Sequence, residues 1–261
     1  MNLRKKSELA NTILEEETPY LEDKDTIHGF FNNNLDKLSK EIIESQLTII
    51  DSYYSTNMSR RYYGIEEIAE SILEISDSKK ILKEKFIDYS KKPDIFSKLT
   101  LLFNGRFGYN KKGEKFGRAI SLISKYAYFI TDFNFPIYDS IVREVYPLIT
   151  GKKLNNNKIE YFFISMKELL KSTNIENYNK LDNLLWLIGK INRGNYSLIL
   201  KKDKFIALVS RISELDSLKS IEVDNKIRDY INNNIDNLFD IFTDRQIAMI
   251  KFSNELKLNL E

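Results

Sequence analysis

LDKLSKEIIESQLTIIDSYY, residues 35–54, sets Leu35, Leu38, Ile42, Ile43, Leu47 and Ile50 on one stripe. Apolar side chains three and four positions apart share a face of an α-helix, whereas a half-buried strand needs strict alternation. The spacing predicts an amphipathic helix, and the same period recurs along the chain. IEEIAESILEI (65–75) repeats it with Ile65, Ile68, Ala69, Ile72 and Leu73. PDIFSKLTLLF (93–103) opens with proline at a first-turn position, where its missing N–H leaves no bond unmade. Further helices are expected over 119–131, 139–149, 158–171, 177–191, 203–215, 223–240 and 244–257. Only 4 prolines and 9 glycines interrupt 261 residues, and no stretch alternates convincingly. The expected class is all-α, and the lack of a repeat period argues against a solenoid.

The composition, 42% apolar with 12% aromatic residues, suffices for a core. No apolar run reaches the length of a membrane span, and MNLRKKSELANTILEEETPY lacks the apolar region of a secretory signal. A cytoplasmic location without a membrane partner is expected. The chain has no cysteine, which excludes disulfides, thiolate zinc sites and iron–sulfur clusters. Its one histidine, His28 in DKDTIHGFF, leaves no choice of base for a Ser-His-Asp triad and reads as a surface or loop-packing residue. With neither cofactor nor metal expected, chemistry falls mainly to carboxylates, lysines, tyrosines and backbone groups.

A net charge of +2 conceals an asymmetry. Residues 15–25 hold six acids against Lys24, while residues 79–125 hold thirteen Lys or Arg against four acids, a local +9. That concentration reads either as a polyanion-binding face or as a solvated helical surface. Within it NGRFGYNKKGEKFG (104–117) interleaves Gly105, Gly108, Gly113 and Gly117 with Arg106, Lys111, Lys112 and Lys115. Glycines allow backbone amides close to a phosphate, and the cations add charge; a flexible surface loop is the plainer reading.

Three stretches occur in order: IIDSYYSTNMSRRYYGIEEIAESIL (49–73), AISLISKYAYF (119–129) and FPIYDSIVREV (135–145). Together they resemble the helix-hairpin-helix DNA glycosylase superfamily over about residues 45–150. The first is similar to its helix–polar loop–helix segment, the second lies where the family has its hairpin and following helix, often with a lysine, and the third looks like its aspartate segment. Ile120, Ser121, Leu122 and Ile123 stand where the family has hairpin glycines, and the absence of cysteine separates the chain from members carrying an iron–sulfur cluster.

The resemblance implies two helical lobes with a cleft between them. Residues 1–44 would pack with the C-terminal lobe, 45–135 would form a central helical domain with the basic loop, and 136–261 would carry the aspartate-bearing helix and C-terminal lobe. It implies excision of a damaged or modified base from double-stranded DNA by a monomer, in base-excision repair or in anti-phage defence against modified-base DNA. Asp139 would stabilise the oxocarbenium-like sugar and position water. Lys125 would be the Schiff-base nucleophile of a bifunctional enzyme with AP-lyase activity. Asn57 would fill the gap left by the flipped base, with Arg60 and Arg61 on the opposite strand and Arg106, Lys111, Lys112, Lys115 and Arg118 on phosphates. Tyr53, Tyr54, Tyr138, Asp182 and Trp186 would surround the base.

Each residue also has a plainer reading. Asp139 suits an N-cap of helix 139–149, Lys125 falls inside its helix rather than at the mouth, and the tyrosines suit half-buried packing. Trp186 borders the Leu181, Leu184, Leu185 and Ile188 stripe, with Asp182 one turn before it on the same side. Two other classes remain open: a non-catalytic DNA-binding or defence-system module on the same scaffold, and an α-helical protein-interaction domain.

Overall fold

A computed structural model describes residues 2–18, 20–32, 36–94, 97–154 and 158–259. Among them the fold is all-α. The helices are α1 (Leu3–Glu17), α2 (Tyr20–Gly29), α3 (Lys40–Tyr54), α4 (Gly64–Leu73), α5 (Lys79–Lys91), α6 (Lys98–Asn104) and α7 (Ile120–Ile130). They continue as α8 (Ser140–Thr150), α9 (Ile159–Thr173), α10 (Tyr178–Arg193), α11 (Lys202–Ser210), α12 (Ser220–Asn234) and α13 (Asp244–Leu258).

α7 is the axis. Every residue from Leu122 to Ile130 is buried, as expected of a helix apolar on nearly all faces. α2, α3, α5 and α6 pack on it; α9 covers α5 and α6, and α3 also rests on α4. α10 is the second organiser, meeting α1, α8, α12 and α13. Gly189 lets α8 approach it: a Cβ there would lie 2.5 Å from Ile141 Cγ2.

Several boundaries differ from the sequence expectations. The 35–54 helix begins at Lys40, capped by Ser39, whose Oγ accepts from the Ile42 N–H. Leu38 is buried ahead of the helix and donates its N–H to Asp77 O, while Leu35 lies outside the described residues. Pro93 is not in a first turn: α6 starts five residues later with Ser97 as its cap, and Ile95 and Phe96 lie outside the described residues. The 203–215 helix stops at Ser210, and the 223–240 helix runs from Ser220 to Asn234. α1, α2 and α5 lie outside the expected helices, because charged residues dilute their apolar stripes. α5 still places Leu82, Phe86 and Tyr89 inward at helical spacing.

The segment before α8 is fixed by aromatic contacts. Phe135 stacks on Phe103 at 5.9 Å between ring centroids and meets Phe163 edge-on at 5.0 Å. After α7 the chain turns sharply through Asp132 and Phe133, both at positive φ, and then runs back along the helix it has just left. His28 packs into this turn, 3.0 Å from an Asp132 carboxylate oxygen and against the Phe133 ring.

Candidate active site

The return of the chain along α7 brings residue 139 beside residue 125. Ser124 Oγ accepts the Tyr138 N–H at 3.0 Å, so the backbone just before Asp139 is tied to α7 one position before Lys125. Lys125 Nζ then lies 3.4 Å from Asp139 Oδ2 and 3.0 Å from Ser121 Oγ, with the Tyr54 ring 5.2 Å away. The lysine side chain is 3% exposed and the aspartate 22%, so the ammonium is buried while its partner still faces open space. Burying a lysine costs several kcal/mol unless its charge is paired, and Asp139, Ser121 and the Tyr54 face supply that compensation.

Asp139 does two things with its two oxygens. Oδ1 accepts the Val142 N–H at 2.9 Å and caps α8, while Oδ2 faces Lys125. One side chain therefore caps α8 and also lines the cavity. Lys125 is the sixth residue of α7, inside the helix as its spacing indicates, yet its side chain reaches the pocket.

The pair lines a cavity of about 640 Å³. Tyr53, Tyr54, Asn57, Asp182 and Trp186 line it as well, so most of the expected base-pocket residues converge although they come from α3, its following loop and α10. Tyr138 does not line it: its ring meets Phe162 edge-on at 5.0 Å. Asn57 stands in the exposed loop after α3 with left-handed backbone, φ 65°. That loop is held from below by Asp51, whose Oδ1 accepts from Thr56 Oγ1 at 2.5 Å and from the Met58 N–H at 3.1 Å.

The wall formed by α2 was not read from the sequence. Tyr20 stacks on Trp186 at 4.0 Å and donates to Asp182 Oδ2 at 3.0 Å. Behind them Lys24 is buried and reaches Asn179 Oδ1 at 2.7 Å, Asn183 Oδ1 at 2.9 Å and Asp182 Oδ2 at 3.4 Å. Burial lowers the Lys24 pKa, with Asp182 opposing that shift. Burial, followed by the Asp182 charge, pushes the Tyr20 phenol well up, so Tyr20 remains a hydrogen-bond donor. On α10, Asp182, Trp186 and Lys190 recur every four residues along one face, a signal the sequence did contain. Arg143 and Arg193 line the same cavity.

Several cations of the basic segment have partners within the chain. Residues 105–119 form an irregular ribbon with bridges Arg106↔Arg118 and Tyr109↔Lys115, which also pairs Tyr109 with Tyr62. Gly108 must be glycine, since at φ +74° a Cβ would lie 3.0 Å from the Gly64 Cα. Its amide does approach an anion, but that anion is the Glu67 carboxylate at 2.8 Å. Arg61 donates to Gly117 O, Arg106 to Phe116 O and Arg118 to Asn104 Oδ1, while Lys115 pairs with Glu67 at 2.6 Å. These four brace the ribbon. Arg60, Lys111 and Lys112 instead line an open groove of about 530 Å³ with Tyr62 and Phe116.

Among the described residues no cluster of three or more His, Asp or Glu side chains is placed to hold a metal ion, and no helix is long and apolar enough to cross a membrane. Compared with protein-family models, with curated proteins and with solved structures, the chain gives no significant match.

Proposed function

We propose that the protein is a DNA glycosylase that draws a damaged or modified base into the 640 Å³ cavity and cleaves its N-glycosidic bond. The observation that carries this reading is the Lys125–Asp139 pair, at the wall of a cavity that also presents an aromatic stack. Cleavage builds positive charge on the sugar, which the partly exposed Asp139 carboxylate stabilises without reorganising because its other oxygen is fixed by the α8 cap. Trp186, backed by Tyr20, offers a face for the extruded base, and Asn57 on its loop is available to occupy the vacated stack. Once the base has left, Asp139 Oδ2 takes a proton from Lys125 Nζ, the amine adds to the C1′ oxocarbenium, and the C1′–O4′ bond opens with a second nitrogen proton passing to O4′, which leaves the protonated Schiff base at C1′.

In this reading the cavity is the cleft between two lobes, one around α3–α7 and one around α10, and the Arg60–Lys111–Lys112 groove contacts duplex DNA. Repair or defence against modified-base DNA is the context. The test is incubation with ordinary, damaged and phage-modified DNA, with released bases identified by mass spectrometry. A second reading, a DNA-binding module without catalysis, is favoured by the Arg60–Lys111–Lys112 groove, which shares no lining residue with the Lys125–Asp139 cavity. DNA retention without base release selects it.

A further inference from the structure

We propose that Lys190, with Arg193 and Arg143, forms a phosphate site at the mouth of the cavity, which holds a phosphate of the nucleotide whose base enters. This rests on the glycosylase reading and adds to it residues far from the basic segment.

The other two lysines of this region have acceptors: Lys24 reaches three side-chain oxygens and Lys125 reaches Ser121 and Asp139. Lys190 does not. Its ammonium lies 5.3 Å from the Trp186 ring and makes no hydrogen bond or ion pair among the described residues. One turn on, Arg193 donates through Nε to Glu144 at 2.8 Å and through Nη2 to Ser140 Oγ at 3.2 Å. Its Nη1 makes no hydrogen bond among the described residues. The guanidinium is thus oriented but not used up. Arg143 is exposed, makes no ion pair among the described residues, and has its guanidinium 6.0 Å from the Tyr138 ring.

Lys190, Arg193 and Arg143 therefore line one cavity whose own carboxylates are already engaged, Asp139 by Lys125, Asp182 by Tyr20 and Lys24, and Asp23 by Tyr53, while Glu144 binds Arg193. Lys190 and Arg193, one turn apart on α10, repel each other. Burial lowers the Lys190 pKa first, the Arg193 charge lowers it further, and Asp139 and Asp224 oppose. Nothing in the packing needs an unpaired ammonium there. A phosphate accepts from all three cations, relieves the repulsion between Lys190 and Arg193, and sits beside the aromatic face on which its own base would stack.

Trp186 is the chain's only tryptophan and lies under Lys190, so its emission reports this site. The probes are inorganic pyrophosphate, at constant ionic strength set with chloride, and a duplex bearing one tetrahydrofuran abasic analogue. Pyrophosphate is expected to change Trp186 emission saturably in the native protein and in Lys190→Arg, and at least about tenfold more weakly in Lys190→Met, the scale of one charge-assisted contact. Arg143→Gln, at an exposed position that leaves packing intact, is expected to weaken the response as well and decides the matter if Lys190→Met does not fold. With the duplex, Lys190→Met is expected to lower the salt dependence by about one phosphate contact. No saturable response in the native protein, or a response unchanged in both Lys190→Met and Arg143→Gln, overturns the site. A response that depends on these residues, from a protein that binds no duplex, keeps the phosphate site and removes the nucleic-acid reading.

Discussion

Lys125 Nζ and Asp139 Oδ2 lie 3.4 Å apart, with the ammonium buried and the carboxylate partly open to a cavity. The relationship depends on two local devices: Ser124 holding the Tyr138 amide, and the α8 cap holding the other aspartate oxygen. A pair built only for stability would be better served by two apolar side chains, since breaking or keeping a buried charge pair is costly.

The first prediction concerns the nucleophile. Borohydride is expected to trap native protein covalently on DNA containing the excised lesion, and Lys125→Met, which fills the same volume, is expected to give no adduct. Base release by native protein without any adduct assigns a hydrolase that uses water alone.

DNA affinity is expected to fall steeply with salt because phosphate contacts release counterions. Reversing Lys111 and Lys112 to Glu is expected to weaken binding to all sequences alike and to reduce the salt slope by about two contacts. Reversing Lys115 acts differently: it breaks the pair with Glu67 and loosens the ribbon, so a lower melting temperature accompanies it. Equal effects on melting from all three substitutions would count against this division.

Gly189→Ala tests how α8 is seated. The new methyl would meet Ile141 Cγ2 at 2.5 Å and Val145 Cγ2 at 3.4 Å. Overpacking of this kind costs about 1–3 kcal/mol, against about 1 kcal/mol gained from helix propensity. A net loss in urea unfolding is expected, and the loss in Gly189→Ala/Ile141→Ala is expected to be smaller than the sum of the two single losses. Additive losses in the double variant would place the strain elsewhere.

Alkaline pH is expected to destabilise the fold through its tyrosines. Burial raises the pKa of Tyr20, Tyr54, Tyr126 and Tyr128, so the folded state keeps protons that the unfolded chain loses above about pH 10. Their contribution is complete below that pH and is lost as pH rises, by about 1.4 kcal/mol per pH unit for each tyrosine. Lys24, lowered by burial, acts in the opposite direction by one proton up to its unfolded value. Tyrosinate absorbance should appear together with loss of helical circular dichroism; ionisation of all tyrosines with the helices intact contradicts the burial argument.

The helical class and several residues that line the candidate cavity are readable in the sequence because they lie on strong periodic segments. Asp139 precedes an amphipathic helix, and Asp182 and Trp186 share one face of α10. The α2 wall was not readable, since Lys24 occupies a core position that apolar periodicity assigns to an aliphatic residue. Its partner Asp182 is 158 residues away, a pairing that no local pattern encodes. Of the glycines at 105–117, Gly113 and Gly117 stand in open space, while Gly108 does mark a close backbone approach, to Arg61, Gly64 and Glu67 of the same chain.

The most direct measurement is single-turnover base release by Asp139→Asn, on whichever DNA the native protein acts upon. The amide retains an oxygen for the Val142 N–H, so the α8 cap and the fold are expected to persist, while the charge that the proposed mechanism sets against the sugar is lost. The predicted result is a folded protein that still binds DNA and releases base at least about a hundredfold more slowly, the scale for removing one electrostatic catalytic group. Release at the native rate would leave Asp139 a helix cap and contradict the glycosylase mechanism.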